Sequence, residues 1–390
     1  MLQAEILKPQ DLTREDRLAW KAFQDATPAF ASPLLGPAFA EAVAEFRADT
    51  AVAVYRRSGA VVGFLAHHRR FPGLGRPIGS PWSDYHALVS APDAGIVGQE
   101  ALRLAGLEAF RFSGLIDPYG AFAASAEETA DAYLIRLGDA GEDAGEAYWE
   151  ALRAASPKRF KNMRRLEHKL EREVGEVRLI ADRDPANFER LLGWKQDQFR
   201  RTGLHDVLAT PWSGQLMRSL FARRDGELQG LMLTLTVAGQ PIAGHFGVRS
   251  GTAFHPWIAA YDPAYAAFSP GQTLISEAIR AMPRLGLQRY DLAEGSEHYK
   301  KPFASDVFPI AQGLARTAPA TGMAASVERA WTAAGDAFGP SGAQAIRRLR
   351  RRMDHIASVE LTLAGRAKGL ATALAASRRR LEAQTPAEAA

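Results

Sequence analysis

The feature that most limits what this chain can fold into is the run Ser269-Pro270-Gly271-Gln272. One helix and one strand later it is followed by Asp291-Leu292-Ala293-Glu294-Gly295-Ser296-Glu297-His298-Tyr299-Lys300. Ser269 and Gln272 have capping-box spacing and Pro270 stands where a first-turn proline is tolerated, so a helix is predicted to begin here. Gly271 has no side chain, which would let a ligand approach the unpaired N–H groups of the first turn. Leu274, Ile275, Ala278, Ile279 and Met282 form its apolar stripe, and Leu285-Gly286 ends it. Residues 287–292 read as a buried strand. Everything after Asp291 then falls at a strand's carboxyl end, where open α/β sheets place ligands.

These residues resemble the FemAB/CelD-like branch of the GNAT acyltransferases, in which a Ser-Pro-Gly helix start precedes a strand and an Asp-x-x-x-Gly-x-Glu-x-Tyr-Lys run. Here that run stands ungapped as Asp291, Gly295, Glu297, Tyr299 and Lys300. The resemblance extends more loosely over residues 150–305 and, more distantly, to the acetyltransferases of holdfast and exopolysaccharide synthesis. It implies two tandem GNAT-like lobes with a cleft between them. It also implies N-acyl transfer to an amine, such as an amino sugar on an envelope precursor, with acetyl-CoA or another acyl-CoA as donor. The common GNAT phosphate loop is richer in glycine than this one, and FemAB relatives use aminoacyl-tRNA with a peptidoglycan precursor, so that alternative stays open, as does a catalytically silent GNAT fold acting as a cyclic di-GMP effector.

Length suits two lobes and an appendage. Cysteine is absent, which excludes thiolate nucleophiles and thiolate metal sites, and the histidines lack metal-ligand spacing, so no metal is assigned. The N-terminus lacks the pattern of a signal peptide and no apolar run approaches a bilayer span, so a cytoplasmic location is expected. Residues 341–380 hold ten Lys and Arg against Asp354 and Glu360, a net +8; the chain carries +4, so the remainder is mildly acidic at −4. A charge this localised suggests a docking arm for a polyanion and not a protein that coats DNA.

The fold class read from these signals is α/β: tandem GNAT-like lobes, each a mixed sheet flanked by helices, with an α-helical C-terminal extension. Boundaries are set at 1–150 for the N-terminal lobe, 151–176 for a basic linker helix, 177–314 for the C-terminal lobe with the donor site, and 315–390 for the helical basic tail. Two passages echo each other. A hairpin at Ser58-Gly59 precedes Pro81-Trp82-Ser83-Asp84-Tyr85, a helix near Gly98 and a strand from Glu108; a hairpin at Ala238-Gly239-Gln240 precedes Pro256-Trp257 and Tyr261-Asp262, the Ser269 helix and the strand ending at Asp291. The lobe motifs end near Phe308, so the lobes are expected to fold without the tail.

For proton handling the candidates are Glu297, Tyr299, Asp291 and His245. If the segment after Asp291 is extended, Glu297 and Tyr299 share a face. A half-buried carboxylate there could serve as base, or could merely pair with a cation. His245 lies in the apolar run 242–248, where a histidine is more often a satisfied core residue than a catalytic base. Ser269, Gly271 and Gln272 are assigned to the donor. Arg159, Lys161 and Arg164 on the amphipathic linker helix, together with Lys300, are assigned to a phosphate-bearing saccharide or lipid-linked precursor, the alternative being a solvated helix face. In the tail, Arg350 and Arg351 are the candidate regulatory anion site. Three readings stand for it: a solvated helix end, peripheral contact with an anionic inner-membrane surface through Leu349, Met353 and Ile356, or recognition of cyclic di-GMP.

Overall fold

A computed structural model describes residues 1–317 apart from 72, 139, 140 and 296, isolated helical positions between 326 and 337, and residues 339–372. In the N-terminal half the strands are β1 (Leu2–Leu7), β2 (Thr50–Arg57), β3 (Ala60–Arg70), β4 (Leu74–Pro77), the two-residue β5 (Val89–Ser90), β6 (Ala109–Leu115) and β7 (Ala126–Arg136). The C-terminal half supplies β8 (Val177–Ala181), β9 (Gln229–Val237), β10 (Gln240–Ser250), β11 (Ala253–Tyr261), β12 (Arg289–Glu294) and β13 (Asp306–Arg316). All join one mixed sheet in the order β1-β2-β3-β4-β6-β13-β7-β12-β11-β10-β9-β8, with β5 set against β3.

The order exposes a duplication with an exchange. Each half runs antiparallel through four strands and then makes one parallel pairing, β4 with β6 or β11 with β12. The last strand of each half then crosses over: β7 pairs with β12, β13 pairs with β6, and the two exchanged strands pair with each other. The halves are thus tandem lobes of one architecture, joined by backbone hydrogen bonds.

Local chemistry sets the elements. Helix Arg14–Ala26 starts at a reciprocal capping box in which Thr13 accepts from the Asp16 amide and Asp16 from the Thr13 amide. Helix Pro185–Thr202 stops at Gly203, whose φ of 57° suits a residue without Cβ. Strand β11 contains Pro256, a residue that sheets admit chiefly at edges and bulges. A register shift at Phe246/Gly247 accommodates it, and a Cβ on Gly247 would lie 2.0 Å from the His255 carbonyl oxygen.

The largest apolar cluster belongs to both halves. Trp20, Phe30, Phe39 and Phe64 of the first pack in one core with Phe188, Phe221, Phe246 and Ile258 of the second. Smaller cores lie around helix Gly98–Leu104 in the first half and helix Pro270–Ala281 in the second.

The tail is a working part of this core, contrary to the expectation of a dispensable arm. Helix Gly339–Val359 buries Ile356 and Val359. Its last carbonyls accept from cations and an indole: Ser358 from Arg47 and Arg70, both at 3.5 Å, and Val359 from Trp212 Nε1 at 3.1 Å. Arg47 is fully buried, lies over the Trp212 ring and pairs with Asp49, so its charge is matched by a carboxylate and by the negative end of the helix. Burial of Ile356 also removes it from the lipid-facing stripe that the sequence suggested. Among the described residues no helix is long and apolar enough to cross a membrane.

Candidate active site

Strands β11 and β12 pair only at Ala253–Arg289 and Phe254–Tyr290, and then part. Parting leaves facing strand edges with backbone groups that no neighbour in the sheet takes up, which an extended amide-bearing chain can pair with. The start of helix Pro270–Ala281 follows β11 through the 3₁₀ turn Pro263–Phe268.

That helix start differs from its expected form. Ser269 takes a left-handed backbone (φ 54°, ψ 51°) and caps nothing with its side chain, so the Ser269/Gln272 capping box is not formed. A serine cap needs an extended backbone, and the 3₁₀ turn, closed by Ser269 N–H to Ala266 O at 3.1 Å, denies it one. The Ser269 carbonyl instead accepts from the Gln272 amide at 3.0 Å. Pro270 has no N–H, and among the described residues no acceptor is paired with the Gly271 amide. A Cβ on Gly271 would stand 2.8 Å from the Tyr299 hydroxyl oxygen, so the glycine admits this phenol to the helix start.

The segment after β12 is not extended but forms a helical turn, Glu297–Lys300, followed by the 3₁₀ turn Lys301–Phe303. Alternation of Glu297 and Tyr299 on one strand face therefore does not arise. Ser296 and the side chains of Glu297 and His298 lie outside the described residues. The turn packs the Tyr299 ring against Phe303 and returns Lys300, whose Nζ donates to the Glu294 carbonyl at 2.6 Å. Burial, with Tyr261 adding to it, holds the Tyr299 hydroxyl well above its ordinary pKa, so it remains a proton donor.

Two lysines stand nearby. Lys195, from helix Pro185–Thr202, donates to the Ala259 carbonyl at 3.4 Å, beyond the point where β11 leaves β12. Burial lowers its pKa and Lys300 lowers it further; burial lowers that of Lys300 too, opposed by Asp84, Asp291 and Glu294. His245 is buried against Tyr290, 2.5 Å from its hydroxyl, and burial followed by repulsion from Lys195 and Lys300 pushes it down to about 3. It is a neutral, hydrogen-bonded core histidine.

Asp291 is committed to holding the halves together. Its Oδ1 accepts from the Tyr85 hydroxyl and from the Ala293 amide, both at 2.7 Å, and its Oδ2 lies 3.6 Å from Nδ1 of His255. The other ring nitrogen of His255 meets Asp84 at 2.7 Å. Burial opposes charge on His255, but Asp291 and Asp84 outweigh it and push the imidazole up to about 9. Asp84 and Tyr85 come from the first half, His255 and Asp291 from the second. Sequence reading missed His255, Lys195 and the role of Asp84, although the signal existed. Asp84-Tyr85 and His255 belong to the two echoing Pro-Trp passages, and Trp82 and Trp257 meet at 6.3 Å between ring centres.

The remaining candidates fall into two other places. Lys161 and Arg164 line an open groove of about 740 Å³ with Arg153, Arg165 and His168, walled on one side by Glu150, while Arg159 stands half-buried on the same helix. Lys300 is not among the residues of that groove. Lys169, lower on this helix, sits over the Phe268 ring, which ties the helix to the approach to Ser269. Arg350 and Arg351 face a cavity under the tail helix, Arg350 4.0 Å from Asp354 and Arg351 3.7 Å from Glu128.

Residues 157–301 match the family profile described as an acetyltransferase (GNAT) domain, which contains the parted strands, the helix start and the turn carrying Tyr299 and supports an acyltransferase. No curated protein sequence matched. Among solved structures, FemX is similar at 10% identity with a TM-score of 0.50, over 80% of this chain and 96% of its own. A tandem GNAT protein from the clavulanic acid biosynthesis pathway is similar at 12% identity and 0.46, over 82% and 100%. The C-terminal domain of a candidate lysylphosphatidylglycerol synthetase from Agrobacterium fabrum gives 13% and 0.46, over 81% and 94%. The FemX likeness is one of fold.

Proposed function

We propose that this protein transfers an acyl group from an acyl-CoA, acetyl-CoA first among them, to the amine of an amino sugar on a cell-envelope or exopolysaccharide precursor. The observation that carries the reading is Tyr299. Its protonated hydroxyl rests on the glycine that opens helix Pro270–Ala281, beside the parting of β11 and β12, within the segment that matches a GNAT domain. The edges of the parted strands suit the amides of a pantetheine arm, and the Gly271 amide at the positive end of the helix suits a diphosphate. Lys195 and Lys300 add positive charge close by.

The chemistry asks little of the protein beyond placement. The amine nitrogen attacks the thioester carbonyl, a C–N bond forms and the C–S bond breaks. Tyr299 gives its proton to the departing thiolate and recovers one from the nitrogen, directly or through water, so amine and thioester become amide and thiol. A phenol whose pKa is held high by burial keeps its proton until a strong base forms beside it, which suits a donor to a thiolate.

The test is thermal and kinetic. Acetyl-CoA at about a hundred times its Kd should stabilise the protein by about 2.7 kcal/mol, seen as a raised Tm. Tyr299→Phe should lower kcat and kcat/KM together while leaving the donor Kd within about twofold, the signature of a contact made in the transition state. A Tm that ignores acetyl-CoA but responds to aminoacyl-tRNA would transfer the site to the other donor class.

A further inference from the structure

A pocket of about 210 Å³ lies at the β8 end of the sheet, in the second half, and its charge is almost all of one sign. Its walls are the end of β8, the beginning of β9, the end of β10, the end of helix Pro211–Ala222 and the segment after helix Pro270–Ala281. Four arginines line it, Arg183, Arg224, Arg249 and Arg284, each on or just beyond a different one of these elements. The one carboxylate in the wall is Asp182. It is buried and committed: Oδ1 accepts from the Asp184 amide and Oδ2 from the Asn187 side chain, both at 2.9 Å. The adjoining groove, which shares Arg249, brings Glu227, Arg289 and the ion pair of Lys21 with Asp25, so it supplies no net negative charge.

The arginines are positioned by groups that do not neutralise them. Arg249 Nε donates to the Gly251 carbonyl at 3.2 Å, and a guanidinium nitrogen of Arg284 to that of Leu179 at 3.4 Å. Arg224 donates to the carbonyls of Phe221 and Arg223 and lies over the Phe221 ring. A Cβ on Gly286 would stand 3.1 Å from a terminal nitrogen of Arg249, so the glycine leaves that guanidinium its place. Among the described residues none of the four forms an ion pair, and Arg183 has no hydrogen-bond partner. Backbone carbonyls fix the direction of a guanidinium and leave its charge whole. Four such charges around one pocket repel one another, and an anion among them offsets that cost.

We propose that this pocket binds the phosphate or diphosphate group of a ligand, at a place separate from the acyl-transfer site. Helix Pro270–Ala281 divides the two. Its first turn belongs to the proposed donor site, and the pocket lies beyond its last, about 18 Å of helix away. The volume is below the roughly 300–1,000 Å³ that encloses a whole small ligand, so it suits a terminal group. Guanidinium groups arriving from four elements suit a tetrahedral phosphate, whose oxygens point apart and carry about two negative charges. A carboxylate offers two oxygens in one plane and a single charge.

The experiment uses the full chain and inorganic pyrophosphate as the probe, with sodium chloride at equal ionic strength as the reference for screening alone. Pyrophosphate should raise Tm where chloride does not, and calorimetry should show it binding about tenfold or more tighter than the dicarboxylate malonate. Arg183→Ala and Arg249→Ala should each weaken it about fivefold or more. Arg183 has no partner in the protein, so without anion the Arg183→Ala variant should melt no lower than the wild type, whereas loss of a structural arginine would lower its Tm. The acetyl-CoA shift should persist in both variants. Its absence already in the wild type would count against the donor reading and leave this one to stand on pyrophosphate. Phosphatidylcholine vesicles with and without phosphatidic acid identify the source of the phosphate. Sedimentation that Arg183→Ala abolishes assigns it to a lipid headgroup; pyrophosphate binding without sedimentation assigns it to a free phosphorylated compound. The inference is overturned if pyrophosphate acts no more strongly than chloride, if malonate binds as tightly, if both variants keep the wild-type affinity, or if they lose an acetyl-CoA shift that the wild type shows.

Discussion

The two halves place a helix at the same point of the same strand pattern and treat its beginning in opposite ways. In the first half, helix Gly98–Leu104 is sealed by its own chain. The Gly98 amide donates to the Ala121 carbonyl at 2.8 Å, and a Cβ there would lie 2.5 Å from that oxygen and from the Phe122 ring. In the second half the corresponding glycine, Gly271, meets only the end of the Tyr299 side chain. The strands that part beside each helix differ likewise. Residues of β4 and β6 line the cavity closed by Asp354 of the tail helix, while those beside Pro270–Ala281 keep a lysine and a tyrosine at their opening. The two helix starts of one strand pattern are thus packed differently: the first is closed by its own chain, and the second meets only a phenol hydroxyl among the described residues.

The most severe way to break this comparison is to remove the tail. Ending the chain before Gly339 uncovers the pocket of Ile356 and Val359, takes the Ser358 carbonyl from buried Arg47, which keeps Asp49, and deprives the Trp212 indole of its acceptor. At about 1.5–3 kcal/mol for each buried aliphatic and about 1–3 kcal/mol for each orphaned donor, a loss of about 5 kcal/mol or more is expected. A urea midpoint unchanged by the truncation would show that the first half does not depend on the helix.

Next in size is the joint between the halves. The folded-state value for His255, about 9, lies above the unfolded 6.5. Its charge therefore stabilises fully below about pH 6.5, and the contribution is lost as the pH rises through about 9. Urea midpoints of the wild type should fall by the equivalent of about 3 kcal/mol at most between those limits, by the conversion of about 1.4 kcal/mol per unit. His255→Gln should flatten that limb and match the wild type at its alkaline end. The acid limb should survive, because His86 and His245, pushed down to about 3 by burial, stabilise above pH 6.5 and lose that contribution as the pH falls. An alkaline limb identical in the variant would discharge His255 from this role.

The smallest effect sharpens the contrast most directly. Gly98→Ala must displace a backbone carbonyl and should cost about 1–3 kcal/mol of stability with donor affinity unchanged. Gly271→Ala must displace only a phenol hydroxyl and should cost under about 1 kcal/mol, while acetyl-CoA binding weakens and Tyr299→Phe in the same chain relieves it. Equal behaviour of the two alanines in both assays would erase the distinction between sealed and open helix starts.

Local signals carried much of this in the sequence. Helix starts at the first-turn prolines Pro157, Pro185 and Pro270, the stop at Gly203 and the two hairpins follow from proline, glycine and turn chemistry that acts over a few residues. What failed depends on partners distant in the chain. Strand β11 hides behind Pro256, which is tolerable only because β10 offers a glycine at the register shift. Tail docking depends on Arg47 and Trp212, which nothing near residue 359 reveals. In the site, Tyr299, Gly271 and Lys300 were visible as a pattern, but their arrangement was not. A helical turn instead of a strand decides that Tyr299 reaches Gly271, and the hydrogen bond from Tyr85 of the other half, with the ion pair to His255, decides that Asp291 is taken up in the joint between the halves.

The exchanged strands have a consequence for how the chain is made. When the ribosome has finished β6, the strand destined for its open edge, β13, is still untranslated, and β7 emerges with its two partners, β12 and β13, also unmade. The nascent first half must wait with an unprotected sheet edge while the second is synthesised, a period during which a wrong pairing competes with the right one. Closure then comes late and together, since β13 completes the first half in the same event that seats β7 against the second.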